Sequence, residues 1–272
     1  MKSSVVETAM LQGTPAPEIV PFRSGDLTLQ GLLWRPAGQG PFPAVLYNHG
    51  SGRSYEKEFA ALGPVFAQWG YVCFAPYRRG VGLSADQGEY LGDRLTRALQ
   101  EHGPHERSRL MVTLLETDHF DDQLAALAVL QGLPGVHRER IAVAGNSFGG
   151  IQTVLMAERG AGIRAAVDFA GAAITWAHSP FIRERMLTAV RNAQVPIYFI
   201  QAANDHDLSP SHELAAEMQR VGKPQKMTIF PPFGTTADEG HSFGYYGAAI
   251  WGPSVCTFLR ETMEGGSHTS TV

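Results

Sequence analysis

The sequence predicts an α/β fold, with a mostly parallel central sheet flanked by helices. Short apolar runs of strand length alternate with longer segments of helical periodicity. One segment, Arg140–Gly150, has the pattern of a strand, a sharp turn and a helix. The chain has 272 residues, of which 44% are hydrophobic, and this is enough for one large core. We therefore expect a single domain over residues 18–264, a loose lead-in over residues 1–17 and a disordered polar tail over residues 265–272.

The first part of the chain predicts a β-hairpin followed by a strand, a helix and another strand. The hairpin strands are Ile19–Phe22 and Leu27–Trp34, joined by a turn that contains Gly. Ala44–Asn48 is the next apolar strand, Glu56–Trp69 has a helical pattern that ends at glycine, and Tyr71–Ala75 is a further strand.

The following segment, residues 85–136, is longer than a crossover between parallel strands needs. Leucines and a methionine share a helical face near Leu110–Leu115, and a second helix continues to Gly132. The surplus, about residues 86–116, predicts either a small helical cap over the site or a helix on the surface.

Arg140–Gly150 contains the motif G-x-S-x-G at Gly145–Gly149. A strand precedes the motif and a helix follows it, so Ser147 would lie on a tight turn at the end of the sheet. Glycines are expected on both sides of such a turn because a β-carbon there would collide with the backbone. This context predicts a nucleophilic serine, whereas the alternative is a serine that only caps the helix.

Three later strands and two helices complete the pattern. The strands are Ala165–Phe169, Pro196–Ile200 and Met227–Phe230, the helices begin near Ser209 and Pro253, and residues 176–192 form a second segment that could cover the site. In parallel sheets the chemistry gathers at the carboxyl ends of the strands.

A serine nucleophile needs a base and an orienting acid. Asp205 follows one late strand and His241 follows the last, so the chain order is Ser147, Asp205, His241, as expected for an α/β-hydrolase. Asp207 competes with Asp205, but it is farther from the strand end. The backbone N–H groups of Phe148 and Ser51 are the candidates for an oxyanion hole, because one follows the nucleophile and the other lies in a Gly-rich loop after a strand.

Four other side chains are candidates for substrate binding. Arg78 and Arg79 could grip a carboxylate, although Arg79 could instead brace its turn through carbonyls or a nearby acid. Trp176 and Phe181 could line an acyl pocket or cover the core. No metal site is expected, since the acids near Asp121 would form a solvated helix face and the chain has neither Cys-x-x-Cys nor His-Glu-x-x-His.

Together these motifs resemble the dienelactone-hydrolase and prolyl-oligopeptidase-like branch of the α/β-hydrolases over about residues 19–263. The resemblance rests on His49-Gly50, Arg79–Ser84, Gly145–Gly150, Asp205 and Gly240–Phe243. It implies the α/β-hydrolase fold. Two departures matter: dienelactone hydrolases proper have a cysteine nucleophile where this chain has serine, and prolyl-oligopeptidase relatives carry an additional propeller domain.

The resemblance and the residues imply a serine esterase that cleaves small-molecule carboxylic esters through an acyl-enzyme on Ser147, without a cofactor. The alternatives are a small serine peptidase or amidase and, in another class, a protein that binds small molecules without turnover. A net charge of −4 without a basic run argues against nucleic acid or a membrane as partner. We expect a cytoplasmic protein because neither a signal peptide pattern nor a run of 18 apolar residues is present.

Overall fold

The computed structural model describes residues 16–264, in which eight strands form one sheet. The tail at 265–272 and all but the last two residues of the lead-in at 1–17 lie outside the described residues. The strands are β1 (Glu18–Ser24), β2 (Leu27–Trp34), β3 (Phe42–Asn48), β4 (Val72–Pro76), β5 (Val136–Asn146), β6 (Ala165–Phe169), β7 (Ile197–Ala202) and β8 (Gln225–Phe230). The helices are α1 (Glu56–Gln68), α2 (Leu91–Glu116), α3 (Asp118–Gly132), α4 (Phe148–Arg159), α5 (Pro180–Arg191), α6 (Ser209–Arg220), α7 (Ala237–His241), α8 (Phe243–Tyr246) and α9 (Ala248–Glu264).

The strand order is β1-β2-β4-β3-β5-β6-β7-β8. β2 pairs antiparallel with β1 and with β4, and every pair from β4 to β8 is parallel. This confirms the mostly parallel sheet flanked by helices. The parallel strands end at one edge, so the loops after β3, β5, β7 and β8 meet there.

Two hydrophobic layers bury the two faces of the sheet. Along β3, Leu46 packs into the layer formed with α2–α6, whereas Val45 and Tyr47 pack into the layer formed with α1 and α9. The alternation follows from the two-residue period of a strand. Because both faces are covered, the central strands are continuous apolar runs, which is the pattern that the sequence shows.

The bounds of two helices differ from the sequence expectation. α2 runs from Leu91 to Glu116 and is interrupted at Gly103, whose φ of 83° lies in the left-handed region. It packs along α3 and α5, and the residue before it, Tyr90, donates a hydrogen bond to the carbonyl oxygen of Ser51 at 2.5 Å. The segment predicted as a cap therefore contacts the loop after β3 at its amino-terminal end. α9 begins at Ala248, so that Pro253 lies inside it.

Between residues 16 and 264, no helix combines the length and apolar character needed to cross a bilayer. The same residues hold no group of three or more His, Cys, Asp or Glu side chains placed to bind a metal ion.

Candidate active site

Ser147 lies between the end of β5 and the start of α4, with φ 60° and ψ −118°. This conformation is strained for any residue with a β-carbon. The turn is tight on both sides, because a β-carbon on Gly145 would lie 2.4 Å from the carbonyl oxygen of Gly149, and one on Gly149 would lie 2.0 Å from that of Asn48. The two glycines of the motif are thus required by backbone contacts, and Ser147 is held at the carboxyl edge of the sheet.

Asp205 follows β7, and its side chain is fully buried. Its Oδ1 atom accepts hydrogen bonds from His241 Nδ1 at 2.9 Å and from the backbone N–H of His206 at 2.7 Å. Its Oδ2 atom accepts from Gln201 Nε2 at 2.9 Å. Three donors therefore fix the carboxylate and orient it toward His241.

His241 is the last residue of α7, a short helix between β8 and α8. Its carbonyl oxygen accepts a hydrogen bond from Asn146 Nδ2 at 3.1 Å, which ties it to the residue before Ser147. Because Nδ1 is engaged by Asp205, the second ring nitrogen, Nε2, is the one left for proton transfer; it is buried and has no partner within the described residues. The capping box formed by Thr236 and Glu239 is a T-x-x-E signal that could have predicted α7.

Asp207, the competing acid, lies elsewhere in the same loop. Its Oδ1 atom accepts a hydrogen bond from the backbone N–H of Ser209 at the start of α6, at 2.8 Å. The structure thus brings Asp205 to His241 and places Asp207 at a helix start.

The loop after β3 lies against Ser147, since a β-carbon on Gly50 would be 3.5 Å from the β-carbon of Ser147. Tyrosine hydroxyls hold the loop: the Gly50 N–H donates to Tyr245 at 2.9 Å, and the Gly52 N–H donates to Tyr55 at 2.6 Å. Within residues 16–264, the N–H of Ser51 between them donates to no group of the protein.

The Phe148 N–H has no acceptor in the described part of the chain either, as expected for the first residue of a helix. Like the Ser51 N–H, it lies next to the turn that carries Ser147, so both amides can serve a ligand there.

The two arginines predicted for substrate binding have protein partners. Arg79 donates to Asp122 from Nε at 3.0 Å and from Nη2 at 2.8 Å, and its Nη1 pairs with Asp118 at 3.2 Å. Arg78 is 1% exposed and donates to the carbonyl oxygen of His49 at 2.7 Å and of Gly50 at 2.5 Å. Their placement favours bracing over substrate binding for both.

The aromatic candidates also lie against protein. Trp176 is 1% exposed, and its Nε1 atom donates to Glu213 at 3.1 Å. Phe181 is half-buried, with its ring 4.9 Å from that of His105 on α2. Trp176 covers the core, which was one of the two interpretations of this residue, and Phe181 packs between α5 and α2.

Two further titratable groups adjoin the site and were not predicted. The ring of His206 lies edge-on to that of His241 at 5.4 Å, and its Nε2 contacts Asp238 at 3.0 Å. Asp168 on β6 is buried and accepts a hydrogen bond from the Gly171 N–H at 2.9 Å. Burial raises the pKa of Asp168 to about 7. A charged residue inside an apolar strand, as in Ala165–Phe169, was the available signal for it.

The sequence of the chain matches one protein family and one curated protein. The sequence pattern described as the dienelactone hydrolase family matches residues 29–249. A curated protein from Bacillus subtilis, named uncharacterized peptidase YtmA, is 24% identical over 238 residues, covering 78% of this chain and 83% of that protein.

Solved structures share the fold. The acylaminoacyl peptidase of Pyrococcus horikoshii matches with a TM-score of 0.66 at 18% identity, covering 97% of this chain but only 44% of the peptidase, so this chain spans less than half of that protein. Est1E from Butyrivibrio proteoclasticus, solved with ferulic acid bound, matches with a TM-score of 0.65 at 16% identity, covering 90% of this chain and 99% of Est1E. A dienelactone hydrolase from Anabaena variabilis matches with a TM-score of 0.61 at 17% identity, covering 93% and 98% of the two chains.

Proposed function

The chain belongs to the dienelactone hydrolase family, and we propose that it is a serine hydrolase that cleaves carboxylic esters of small molecules through an acyl-enzyme on Ser147. One observation carries the proposal: a strained serine on a strand-to-helix turn shares the carboxyl edge of the sheet with a histidine that is hydrogen-bonded to a buried carboxylate. Three separate segments, the turn after β5, the loop after β7 and the end of α7, supply the nucleophile, acid and base that acyl transfer needs.

In the proposed mechanism, His241 Nε2 takes the proton from the Ser147 hydroxyl as its oxygen attacks the acyl carbonyl. Asp205 keeps the proton of His241 on Nδ1 and stabilises the imidazolium that forms. The Ser51 and Phe148 N–H groups bind the developing oxyanion, and His241 then protonates the leaving alcohol. Water repeats the cycle on the acyl-enzyme, and the chemistry requires neither a metal nor an organic cofactor.

An ester is favoured over a peptide because an alcohol needs less help from a general acid to leave than an amine does, since an unprotonated amine would have to leave as an amide anion. The serine in place of the family's cysteine argues against the dienelactone itself as substrate. A cytoplasmic location stays a prediction.

A small serine peptidase or amidase is the second candidate. It is favoured by the names of two relatives, the uncharacterized peptidase of B. subtilis and the acylaminoacyl peptidase of P. horikoshii. A protein that binds small molecules without turnover is the candidate from another class, and it requires that Ser147→Ala leave function intact.

The test is mass spectrometry of the intact protein after treatment with a fluorophosphonate, on wild type, Ser147→Ala and His241→Ala. We expect one adduct on wild type, none on Ser147→Ala and much slower labelling of His241→Ala. Hydrolysis of p-nitrophenyl esters and of aminoacyl anilides then separates an esterase from a peptidase. An absence of adduct on all three proteins would refute the serine mechanism and favour binding without turnover.

A further inference from the structure

A buried guanidinium contacts both halves of the proposed oxyanion hole. Arg78 lies beneath the loop after β3, where it donates to the carbonyl oxygens of His49 and Gly50 at 2.7 and 2.5 Å. Its Cζ atom lies 4.6 Å from the centre of the Phe148 ring. It also donates to Gln152 Oε1 at 2.7 Å, which anchors it to α4. One charged group thus connects the loop that carries Ser51 to the helix that begins with Phe148.

The bond to the Gly50 carbonyl bears directly on the Ser51 N–H, because these two groups belong to one peptide unit. A peptide unit is planar and trans, so its oxygen and its N–H point in opposite directions. When Arg78 holds the oxygen, it also sets the direction of the Ser51 N–H. A rotation of this peptide would break a charge-assisted hydrogen bond in a buried site, which is costly.

His49 contributes a second bond to the same oxygen. The backbone N–H of Arg78 donates to His49 Nε2 at 3.1 Å, so this nitrogen is the acceptor and the ring proton is on Nδ1. Nδ1 lies 2.8 Å from the Gly50 oxygen and donates to it. Burial, and then the charge of Arg78, hold the pKa of His49 well below its usual value, which keeps the ring neutral. The Gly50 oxygen therefore accepts two hydrogen bonds.

Arg78 is not neutralised by a carboxylate in contact with it. Asp122 raises its pKa through space but is engaged by Arg79, and within the described residues Arg78 forms no salt bridge. Burial lowers the pKa of Arg78 to about 10, so it is still charged at neutral pH. In a buried site, an unpaired positive charge polarises the peptide that it contacts and strengthens its N–H as a donor.

We propose that Arg78 is the positioning residue of the oxyanion hole: its charge orients and polarises the Gly50–Ser51 peptide so that the Ser51 N–H binds the oxyanion of the transition state. The inference rests on the proposed function. It replaces substrate binding as the role of Arg78, and the two roles differ in a measurable way. An oxyanion role lowers kcat, whereas a substrate-binding role raises KM.

The test compares Arg78→Met, which keeps the length but removes the charge, with Arg78→Lys, which keeps the charge but not the planar fork. Arg185→Met is the control, since Arg185 is a half-buried arginine that bonds to Glu116 on α2 and Glu158 on α4. Each variant is assayed for ester hydrolysis and for inhibition by a trifluoromethyl ketone, whose tetrahedral hemiketal adduct with Ser147 places an oxyanion in the hole. Folding is checked by the thermal transition.

For Arg78→Met we expect kcat to fall roughly 10- to 100-fold and the inhibition constant of the ketone to rise by the same factor, with KM within about threefold of wild type. Both the kcat and the inhibition constant of Arg78→Lys should lie between those of Arg78→Met and wild type. Arg185→Met should keep wild-type kinetics. An Arg78→Met enzyme that folds and keeps its kcat, or that changes only in KM, would overturn the proposal.

A second measurement keeps the inference separate from the proposed function and from effects on folding. In amide NMR spectra of the full chain, the Ser51 resonance should shift in Arg78→Lys and in Arg78→Met by more than that of Gly52, which Tyr55 holds. An unchanged Ser51 resonance would refute the orienting role. If wild type neither hydrolyses esters nor reacts with fluorophosphonate, the proposed function fails, and the Ser51 resonance alone then decides the orienting role of Arg78.

Discussion

His241 Nδ1 lies 2.9 Å from Asp205 Oδ1, whereas Asp207, two residues further along, bonds to the start of α6. Both acids lie in the same loop, where the sequence favours Asp205 because it is nearer the strand end, and they have different partners in the structure. This difference makes them a matched pair for mutation.

Asp205→Asn should lower kcat on the order of 10⁴-fold, because an amide at this position no longer holds the ring proton of His241 on Nδ1. Asp207→Asn should stay within about threefold of wild type, since the amide oxygen can still accept from Ser209. Rates of ester hydrolysis measure both. A greater loss in Asp207→Asn would contradict the assignment.

The glycines of the turn around Ser147 give a second prediction, on stability. Gly149→Ala places a β-carbon 2.0 Å from a backbone oxygen that cannot move away, so it should lower the free energy of unfolding by about 3 kcal/mol or more. Gly132→Ala, on α3, meets no atom within 4 Å and should be neutral or stabilising by up to about 1 kcal/mol. Urea unfolding compares the two. A Gly149→Ala protein as stable as wild type would mean that the turn is looser than described.

The elements that place the site could be predicted because their signals are local. Apolar runs revealed the strands of the parallel sheet, and the glycines around Ser147 revealed its turn, since both patterns follow from backbone sterics and burial. The positions of Asp205 and His241 after late strands then followed from the rule that chemistry gathers at the carboxyl edge of a parallel sheet.

The side-chain partners could not be predicted, because they depend on contacts between residues far apart in the chain. Arg78 was a substrate-binding candidate, yet it is buried under a loop that is 28 residues away in sequence. Trp176 was likewise a candidate for either the core or the wall of a pocket. Only its contact with Glu213 on α6 identifies it as a core residue. The first half of α2 buries Leu91, Leu95 and Ala98 at helical spacing, but this spacing does not show which surface the helix covers.

Two buried glutamines lead to a third prediction. Neither amide atom of Gln123 has a partner within residues 16–264, whereas Gln152 accepts from Arg78 and donates to the carbonyl oxygen of His119 at 2.8 Å. Gln123→Met should therefore raise the free energy of unfolding by about 1–2 kcal/mol, because it removes unsatisfied polar atoms. Gln152→Met should lower it by about 2–3 kcal/mol, because it leaves a buried charge with one partner fewer. Calorimetry compares the free energy of unfolding of the two variants with that of wild type. An equal loss of stability in both variants would indicate that buried water satisfies the amide of Gln123.

Asp168 gives the last prediction, on pH. Burial raises its pKa to about 7, the Gly171 N–H opposes this rise and the charge of Asp205 adds to it. In the unfolded chain the pKa of the same carboxyl group is about 4. Between these values the folded state binds the proton more tightly, so the contribution of Asp168 to stability is full at low pH and is lost as the pH rises toward 7.

Asp168→Asn mimics the protonated form and keeps an oxygen for the Gly171 N–H, so it should remove this dependence. From pH 5 to pH 8, wild type should lose roughly 2–3 kcal/mol of unfolding free energy relative to Asp168→Asn. Urea unfolding at several pH values measures the difference, alongside Asp26→Asn, which neutralises an exposed carboxylate in the β1–β2 turn. Parallel curves for wild type and Asp168→Asn would show that the buried carboxyl group does not change its proton affinity on folding. A difference that grows with pH up to about 7 would instead identify Asp168 as a buried acid whose ionisation destabilises the folded protein.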